Sequence, residues 1–319
     1  MSETRERSNP APILIAGPTA SGKSALALAL ADALGGVVIN ADSQQVYGGW
    51  RILTARPSAA DEARAPHRLY GHVPLGTAYS TGQWLRDLAP ALAETRAEGL
   101  RPIIVGGTGL YFRALTMGLA GIPPIAPDIR AAGEAALDRL GLATFAEAFS
   151  RRDPQTAARI DLSNPARVLR AWEVIEATGK PLAHWQDETP PPLLPIAATI
   201  PFALVPARAT LAARCDARLD AMLGKGLLDE VRAVMALDLA PDAPGMKAVG
   251  APELMAHLRG EATLDAAIAA AKTATRRYAK RQVTWIRGQM ADWPLIAAPD
   301  LPPVLDRIAA ADKLARASN

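Results

Sequence analysis

Residues Gly17 to Ser24 read G-P-T-A-S-G-K-S, between the apolar run Ile13-Leu14-Ile15-Ala16 and a helix-like stretch from Ser24 to Leu34. A strand, a glycine-bearing loop and a helix in that order make a phosphate-binding loop. Gly17 and Gly22 let the loop that includes Pro18 turn the N–H groups of Thr19, Ala20 and Ser21 inward around oxygen anions, and Lys23 adds a point charge. The Ser24 hydroxyl is placed to hold a magnesium ion on the phosphates, and the following helix contributes its positive end. All eight residues are therefore assigned to a phosphorylated substrate, with Ser24 also the metal ligand.

Outward from this loop, short apolar runs at Val37 to Asn40 and Pro102-Ile103-Ile104-Val105 are each preceded by a helix-like stretch. Gly35-Gly36 and Gly99 fall where helix C-terminal caps belong. Alternation of this kind predicts an α/β fold, a P-loop NTPase-like parallel sheet flanked by helices. A Pro-rich passage from Gly121 to Pro127 then opens a series of helical segments around 129–140, 142–150, 153–159 and 165–178, and a second at Thr189 to Pro195 closes it. Thr199 to Val205 reads as a strand rejoining the sheet, followed by mainly helical sequence at 210–240 and 263–287. The division expected is a core of residues 1–119 and 200–319 carrying basic C-terminal helices, with a helical insertion domain at 120–199.

The chain has 319 residues, 50% of them hydrophobic and 21% charged, which suits a globular protein with a sizeable core. Cys215 is the only cysteine. An intramolecular disulfide and a cysteine-cluster metal site are thereby excluded, in keeping with a reducing cytoplasm. The charged start, Met1 to Pro10, lacks the apolar segment of a targeting signal, and no run reaches the roughly 20 apolar residues of a membrane span. Net charge is only +3, yet Lys272, Arg276, Arg277, Lys280, Arg281 and Arg287 fall within sixteen residues that hold no acidic group. With Tyr278 and Trp285 interleaved, the stretch reads either as a nucleic-acid surface or as a solvated helix face with two aromatic core anchors.

Asp42 lies just beyond the Val37 to Asn40 strand, at the phosphate-loop end of a parallel sheet, where a carboxylate can accept a proton or hold magnesium through water. An N-cap on a short helix is the bland alternative. Val105-Gly106-Gly107-Thr108-Gly109 surrounds one hydroxyl with three glycines, as close backbone approach to a ligand would require, or else forms a flexible turn. No acidic residue ends that strand, which weakens an ATPase reading. Arg214 and Arg218 share a helix face and can neutralise phosphates, although Asp216 and Asp220 nearby make ordinary helix ion pairing the default on these residues alone. The four histidines show no metal-ligand spacing.

Taken in order, Gly17 to Ser24, Asp42 to Tyr47, Pro66-His67-Arg68-Leu69, Gly106 to Tyr111, Asn164 to Ala171 and Ala279-Lys280-Arg281-Gln282-Val283-Thr284-Trp285 resemble the tRNA dimethylallyltransferases (IPP transferase family), over nearly the whole chain. The resemblance implies transfer of dimethylallyl from dimethylallyl diphosphate to N6 of the adenosine just 3′ of a tRNA anticodon, with pyrophosphate released and Mg2+ as cofactor. Asp42 would then be the base, Thr108 would bond near the reacting phosphate and nucleotide, and Arg214 with Arg218 would neutralise pyrophosphate. It places the tRNA anticodon stem-loop against Asp42, Ser43, Gln44, Gln45, Thr108, Arg130, Ala166, Arg167, Val168, Leu169, Arg170, Lys280, Arg281, Gln282, Trp285 and Arg287. Monomeric state is expected because no heptad pattern is present.

Three positions depart from the family pattern. Arg56 stands where lysine is usual, Gly71 where an aspartate is common, and Ala251 where a tyrosine would add an aromatic contact for tRNA docking. A P-loop kinase of a nucleotide or small metabolite would explain the first half of the chain and leave the later segments idle. A prenyltransferase of free adenine nucleotides has no use for the insert, and a non-catalytic RNA-binding protein none for the phosphate loop.

Overall fold

The computed structural model describes residues 10–317. Residues 1–9, part of the stretch read above as free of a targeting signal, lie outside the described residues. The elements follow as β1 (Ile13–Ala16), α1 (Lys23–Leu34), β2 (Gly36–Asn40), α2 (Ala59–Arg64), β3 (His67–Arg68), α3 (Thr81–Ala97), β4 (Arg101–Gly106) and α4 (Gly109–Met117). Helices α5 (Pro127–Arg152), α6 (Pro154–Ala157), α7 (Pro165–Thr178) and α8 (Leu182–Asp187) come next. The chain continues through β5 (Ile200–Leu204), α9 (Arg208–Leu223), α10 (Leu227–Met235), α11 (Ala251–Leu258), α12 (Leu264–Gln289), β6 (Leu295–Ile296) and α13 (Leu301–Ala317). It divides into two compact units, Met1–Thr116 with Leu193–Asn319, and Met117–Pro192.

In the larger unit six parallel strands stand in the order β3-β2-β4-β1-β5-β6, the P-loop NTPase-like α/β fold. β1 is central, pairing Ile13 with Ile103 of β4 and with Ile200 of β5. Both faces of the sheet are covered, so the middle strands read as continuous apolar runs without alternation. Leu14, Val37, Ile39 and Ile104 meet Trp84 and Leu88 of α3 and Phe112 of α4 on one face. Ile13, Ile15, Val38, Ile103 and Phe202 meet Leu26 and Leu30 of α1 and Val304 and Ile308 of α13 on the other. α1 closes on Gly35, whose left-handed backbone (φ 65°) returns its N–H to the Ala31 carbonyl, while Gly36 already belongs to β2. The strands β3 and β6 were not anticipated: two residues each give no periodicity to read.

A separate core joins the segment after β2 to α9, α10 and α11 through Trp50, Leu53, Leu219, Leu227, Val231, Ala251 and Leu254. Ala251 is fully buried there. The smaller unit packs α5, α7 and α8 around Phe145, Phe149, Val168, Leu169 and Val174. Its α5 breaks at Gly141 (φ 71°), between the two helical segments expected. α7 begins at Pro165 behind an Asn164 cap that accepts from the Ala166 and Arg167 N–H groups. Among the described residues no helix is long and apolar enough to cross a membrane.

Candidate active site at the carboxyl ends of the strands

Because β2, β4 and β1 are adjacent and parallel, the segments that follow them emerge side by side. The loop after β1 is the phosphate loop. Gly22 caps α1 with φ 98°, no side chain caps this end, and the first N–H groups of the helix are left for an anion. Ser21 is fully buried with its Oγ unpartnered, a donor kept inside the loop. Lys23 donates to the Pro18 carbonyl at 3.3 Å. Burial pushes its ammonium down to about 8, with Arg218 adding to the effect and Asp42 opposing it.

Arg214 and Arg218 both face this loop. Arg214 donates to the Ser21 carbonyl at 3.1 Å, and Arg218 to Thr19 Oγ1. The alternative of pairing within their own helix fails, because the nearby carboxylates turn to α12: Asp216 takes Arg276 at 2.6 Å and Asp220 takes Lys272 at 2.7 Å. Arg218 rather than Arg214 lines the pocket beside Asp42, where burial depresses its guanidinium pKa.

Asp42 is held by its neighbours and caps no helix. Its N–H donates to Asn40 Oδ1 at 2.9 Å, and its carbonyl accepts from Asn40 Nδ2 at 3.0 Å. Its own Oδ1 accepts the Gln44 N–H at 3.0 Å, a local turn. Asn40 is fully buried, a positioning residue that sequence reasoning missed because asparagine at a strand end is unremarkable there. Thr108 Oγ1 accepts the Ser43 N–H at 2.8 Å and donates to Ser43 Oγ at 3.1 Å, tying the segment after β4 to the segment after β2.

The three glycines around Thr108 admit close protein contacts. A Cβ on Gly106 would lie 2.0 Å from the Ala41 carbonyl oxygen, one on Gly107 2.1 Å from Gln282 Nε2, and one on Gly109 1.9 Å from the Trp285 ring. Gln282 accepts the Thr19 N–H at 2.8 Å and donates to the Gly107 carbonyl at 2.9 Å, so one buried amide from α12 fixes both loops.

Four of the residues expected at the RNA have their side chains inside the fold. Gln282 is spent on the loops, and Gln45 is buried with its amide donating to the Thr54 and Ala55 carbonyls. Val168 and Leu169 belong to the core of the smaller unit, on the apolar face of α7. Ala166, Arg167, Arg170 and Arg130 remain exposed in that unit, with Arg130 and Arg170 near the buried Glu173 carboxylate at 3.8 and 3.3 Å. In the larger unit Ser43 and Gln44 are half-buried, the latter accepting the Val249 N–H at 3.1 Å. On α12, Lys280, Arg281 and Arg287 are exposed, Arg281 lies 5.6 Å from the Tyr278 ring centre, and Trp285 is half-buried against the sheet core.

Asp42, Thr19 and Arg218 share a narrow pocket with the apolar side chains of Leu53, Leu219, Met222 and Val249. Its lining thus offers a cation and hydroxyl for an anion together with apolar side chains for a short hydrocarbon. On the far side of Cys215 a groove of about 430 Å³ runs between α9 and α12, floored by Leu211, Ala212, Ala279 and Val283 and rimmed by Arg208, Arg277, Lys280 and Arg287. Arg208 was absent from the sequence reading, and Arg277 entered it only as part of the basic stretch 272–287. Among the described residues no group of three or more His, Cys, Asp or Glu side chains could cage a metal ion. A hard cation held mostly by diphosphate oxygens and water would find the exposed Ser24 hydroxyl on the protein side.

Residues 45–289 match the family described as IPP transferase. A tRNA dimethylallyltransferase of Cereibacter sphaeroides is 58% identical over 288 residues, covering 90% of this chain and 89% of that one. One from Dinoroseobacter shibae is 57% identical over 283 residues, 88% of this chain and 93% of the relative. Among solved structures, the full-length tRNA isopentenylpyrophosphate transferase of Bacillus halodurans aligns with a TM-score of 0.67 at 30% identity, over 96% of this chain and 99% of its own. A eukaryotic dimethylallyltransferase acting on tRNA aligns at 0.77 with 27% identity, over 91% and 74%.

Proposed function

This chain belongs to the IPP transferase family, and from that premise we propose how its residues carry out the reaction. It is an enzyme that transfers a dimethylallyl group to tRNA. The donor we infer is dimethylallyl diphosphate, and the acceptor atom N6 of the adenosine just 3′ of the anticodon. The observation that carries this reading is the pocket whose lining combines Asp42, Arg218 and Thr19 of the phosphate loop with the apolar Leu53, Leu219, Met222 and Val249.

The diphosphate sits against the free N–H groups at the start of α1, with Lys23 and Arg218 beside it and Arg214 behind the loop at Ser21. As the allylic carbon–oxygen bond lengthens, charge builds on the departing pyrophosphate, and these donors stabilise it. The Ser24 hydroxyl would hold Mg2+ on the diphosphate, and that ion would supply further charge neutralisation. Exocyclic N6 is a weak nucleophile because its lone pair is delocalised into the purine. Asp42 takes its proton as the new N–C bond forms, and Asn40 and the Gln44 N–H keep the carboxylate in place. Thr108 fixes Ser43 beside it. ATP is not consumed.

The acceptor base leaves its stack to reach a carboxylate this enclosed. Exposed Lys280, Arg281 and Arg287 on α12, with Arg208 and Arg277 on the groove, supply phosphate contacts, and Arg130, Ala166, Arg167 and Arg170 of the helical unit supply others. We take the enzyme to be a cytoplasmic monomer, on the strength of its lone cysteine and the absence of a zipper-like repeat. The test is transfer of labelled dimethylallyl from its diphosphate to unmodified tRNA with magnesium, with AMP as a parallel acceptor. Label recovered as N6-(dimethylallyl)adenosine at the anticodon-adjacent position is expected; label on AMP alone, or on neither, refutes the assignment.

A further inference from the structure

Glu230, in the first turn of α10, accepts three consecutive backbone donors: the Arg51 and Ile52 N–H groups on Oε1, each at 2.7 Å, and the Leu53 N–H on Oε2 at 2.8 Å. Successive N–H groups converging on one carboxylate form an anion nest, and charge-assisted bonds of this length are strong. The turn they anchor is one wall of the reaction pocket, for Leu53 and Thr54 line it. The next two carbonyls, of Thr54 and Ala55, accept from Gln45 Nε2 at 2.8 and 3.0 Å. The Gln45 N–H in turn donates to the Asp42 carbonyl at 3.1 Å. An unbroken hydrogen-bonded path therefore runs from Glu230 through residues 51–55 and Gln45 to the turn that bears Asp42. Ala55 holds a left-handed backbone (φ 53°), a conformation unfavourable for alanine that persists only where surrounding bonds enforce it.

We propose that Glu230 is a positioning residue for prenyl transfer, fixing the Leu53–Thr54 wall and, through Gln45, the Asp42 turn. The proposal rests on the assignment of Asp42 as the base. Glu230 itself is not in the pocket lining, so its effect falls on the geometry of the reacting groups and not on RNA capture. Misplacement of a reacting group by about 1 Å costs on the order of a hundredfold in rate. Removing the carboxylate is expected to lower kcat between about tenfold and a hundredfold.

The experiment compares Glu230→Ala and Glu230→Gln with the unaltered full-length enzyme in steady-state transfer to tRNA, alongside tRNA affinity and backbone amide exchange. For the alanine variant the expected result is reduced kcat, unchanged KM for tRNA, and faster exchange confined to residues 42–56 while β1 and β4 keep their protection. The glutamine variant retains one carbonyl acceptor and recovers part of the rate. Unaltered kcat in the alanine variant, exchange rising throughout the sheet, or a glutamine variant no better than alanine overturns the proposal. Should the alanine variant not fold, the glutamine variant decides on the same readouts, reduced kcat with local exchange supporting and either one missing overturning. If the unaltered enzyme transfers nothing to tRNA, it is the functional assignment that falls, whereas normal transfer with an indifferent Glu230 removes this proposal alone.

Discussion

Lys23 makes diphosphate binding dependent on pH in a direction that follows from its burial. In the free enzyme the ammonium is pushed from its ordinary 10.5 to about 8, chiefly because burial strips its hydration. A bound diphosphate supplies the missing counter-charge and draws the pKa back up. Binding below pH 8 therefore finds the cation already formed, and binding above it must take up a proton. At pH 9 roughly one lysine in ten is protonated, so the affinity for dimethylallyl diphosphate should be about tenfold weaker than at pH 7. The folded protein feels the same linkage. Its Lys23 pKa lies below the unfolded value, so the cost of burying the cation is full below pH 8 and is relieved as pH rises from 8 towards 10.5. At about 1.4 kcal/mol per pH decade that cost is on the order of 3 kcal/mol.

Calorimetric titration with a non-cleavable dimethylallyl thiodiphosphate, in buffers of differing ionisation enthalpy, measures affinity and proton uptake together. Phosphate monoesters lose their second proton near pH ~6, so the ligand's own titration is complete in this range. Uptake should approach one proton per ligand above pH 8.5 and vanish in Lys23→Arg, whose guanidinium does not titrate. Affinity that stays level from pH 7 to pH 9, or uptake that persists in the arginine variant, would refute the reasoning.

Asp42→Asn keeps the shape of the turn and removes the base; single-turnover transfer should fall by about 10²-fold or more while tRNA affinity holds, and normal chemistry in that variant rules out Asp42 as base. Replacing Lys280 and Arg281 with alanine should lower tRNA affinity and reduce the slope of log affinity against log salt by about 2, leaving the diphosphate analogue's affinity unchanged; an unaltered slope excludes this face of α12 from the interface. Gln282→Leu leaves the Thr19 N–H and the Gly107 carbonyl unpaired in a buried place. Chemical denaturation should report a loss of about 2–4 kcal/mol, accompanied by weaker diphosphate binding, and a neutral result would show that water replaces the amide.

The sheet and phosphate loop were legible because their signals are local. β1, β2 and β4 are buried on both faces and so appear as uninterrupted apolar runs, and the loop glycines occupy fixed spacings. Asp42 was legible through topology, since a strand end beside the loop can only face the same edge. What escaped was every role that depends on a distant partner. Gly106, Gly107 and Gly109 looked like room for a ligand, yet the space they leave is filled by Ala41, Gln282 and Trp285. Gln282 sits within a basic, aromatic stretch that suggested RNA, and only the packing of α12 shows its amide turned inward. Val168 and Leu169 lie between arginines in sequence, but on a helix they point to the opposite face. The partners of Asp216 and Asp220 likewise lie on another helix, which freed Arg214 and Arg218 from the pairing their own helix suggested.

The position of β1 between β4 and β5 has a consequence for the order in which the protein is made. β4 is reached early in synthesis, but β5 follows only after the whole helical unit has been translated. Until then one long side of the central strand has no partner, and its unpaired N–H and C=O groups offer a template for strands of other chains. The helical unit, by contrast, is continuous in sequence and complete as soon as its last helix emerges. Nascent chains stalled just before β5 should therefore present a finished helical unit and an open sheet edge, the condition in which chaperone capture or aggregation of the unfinished enzyme is most acute.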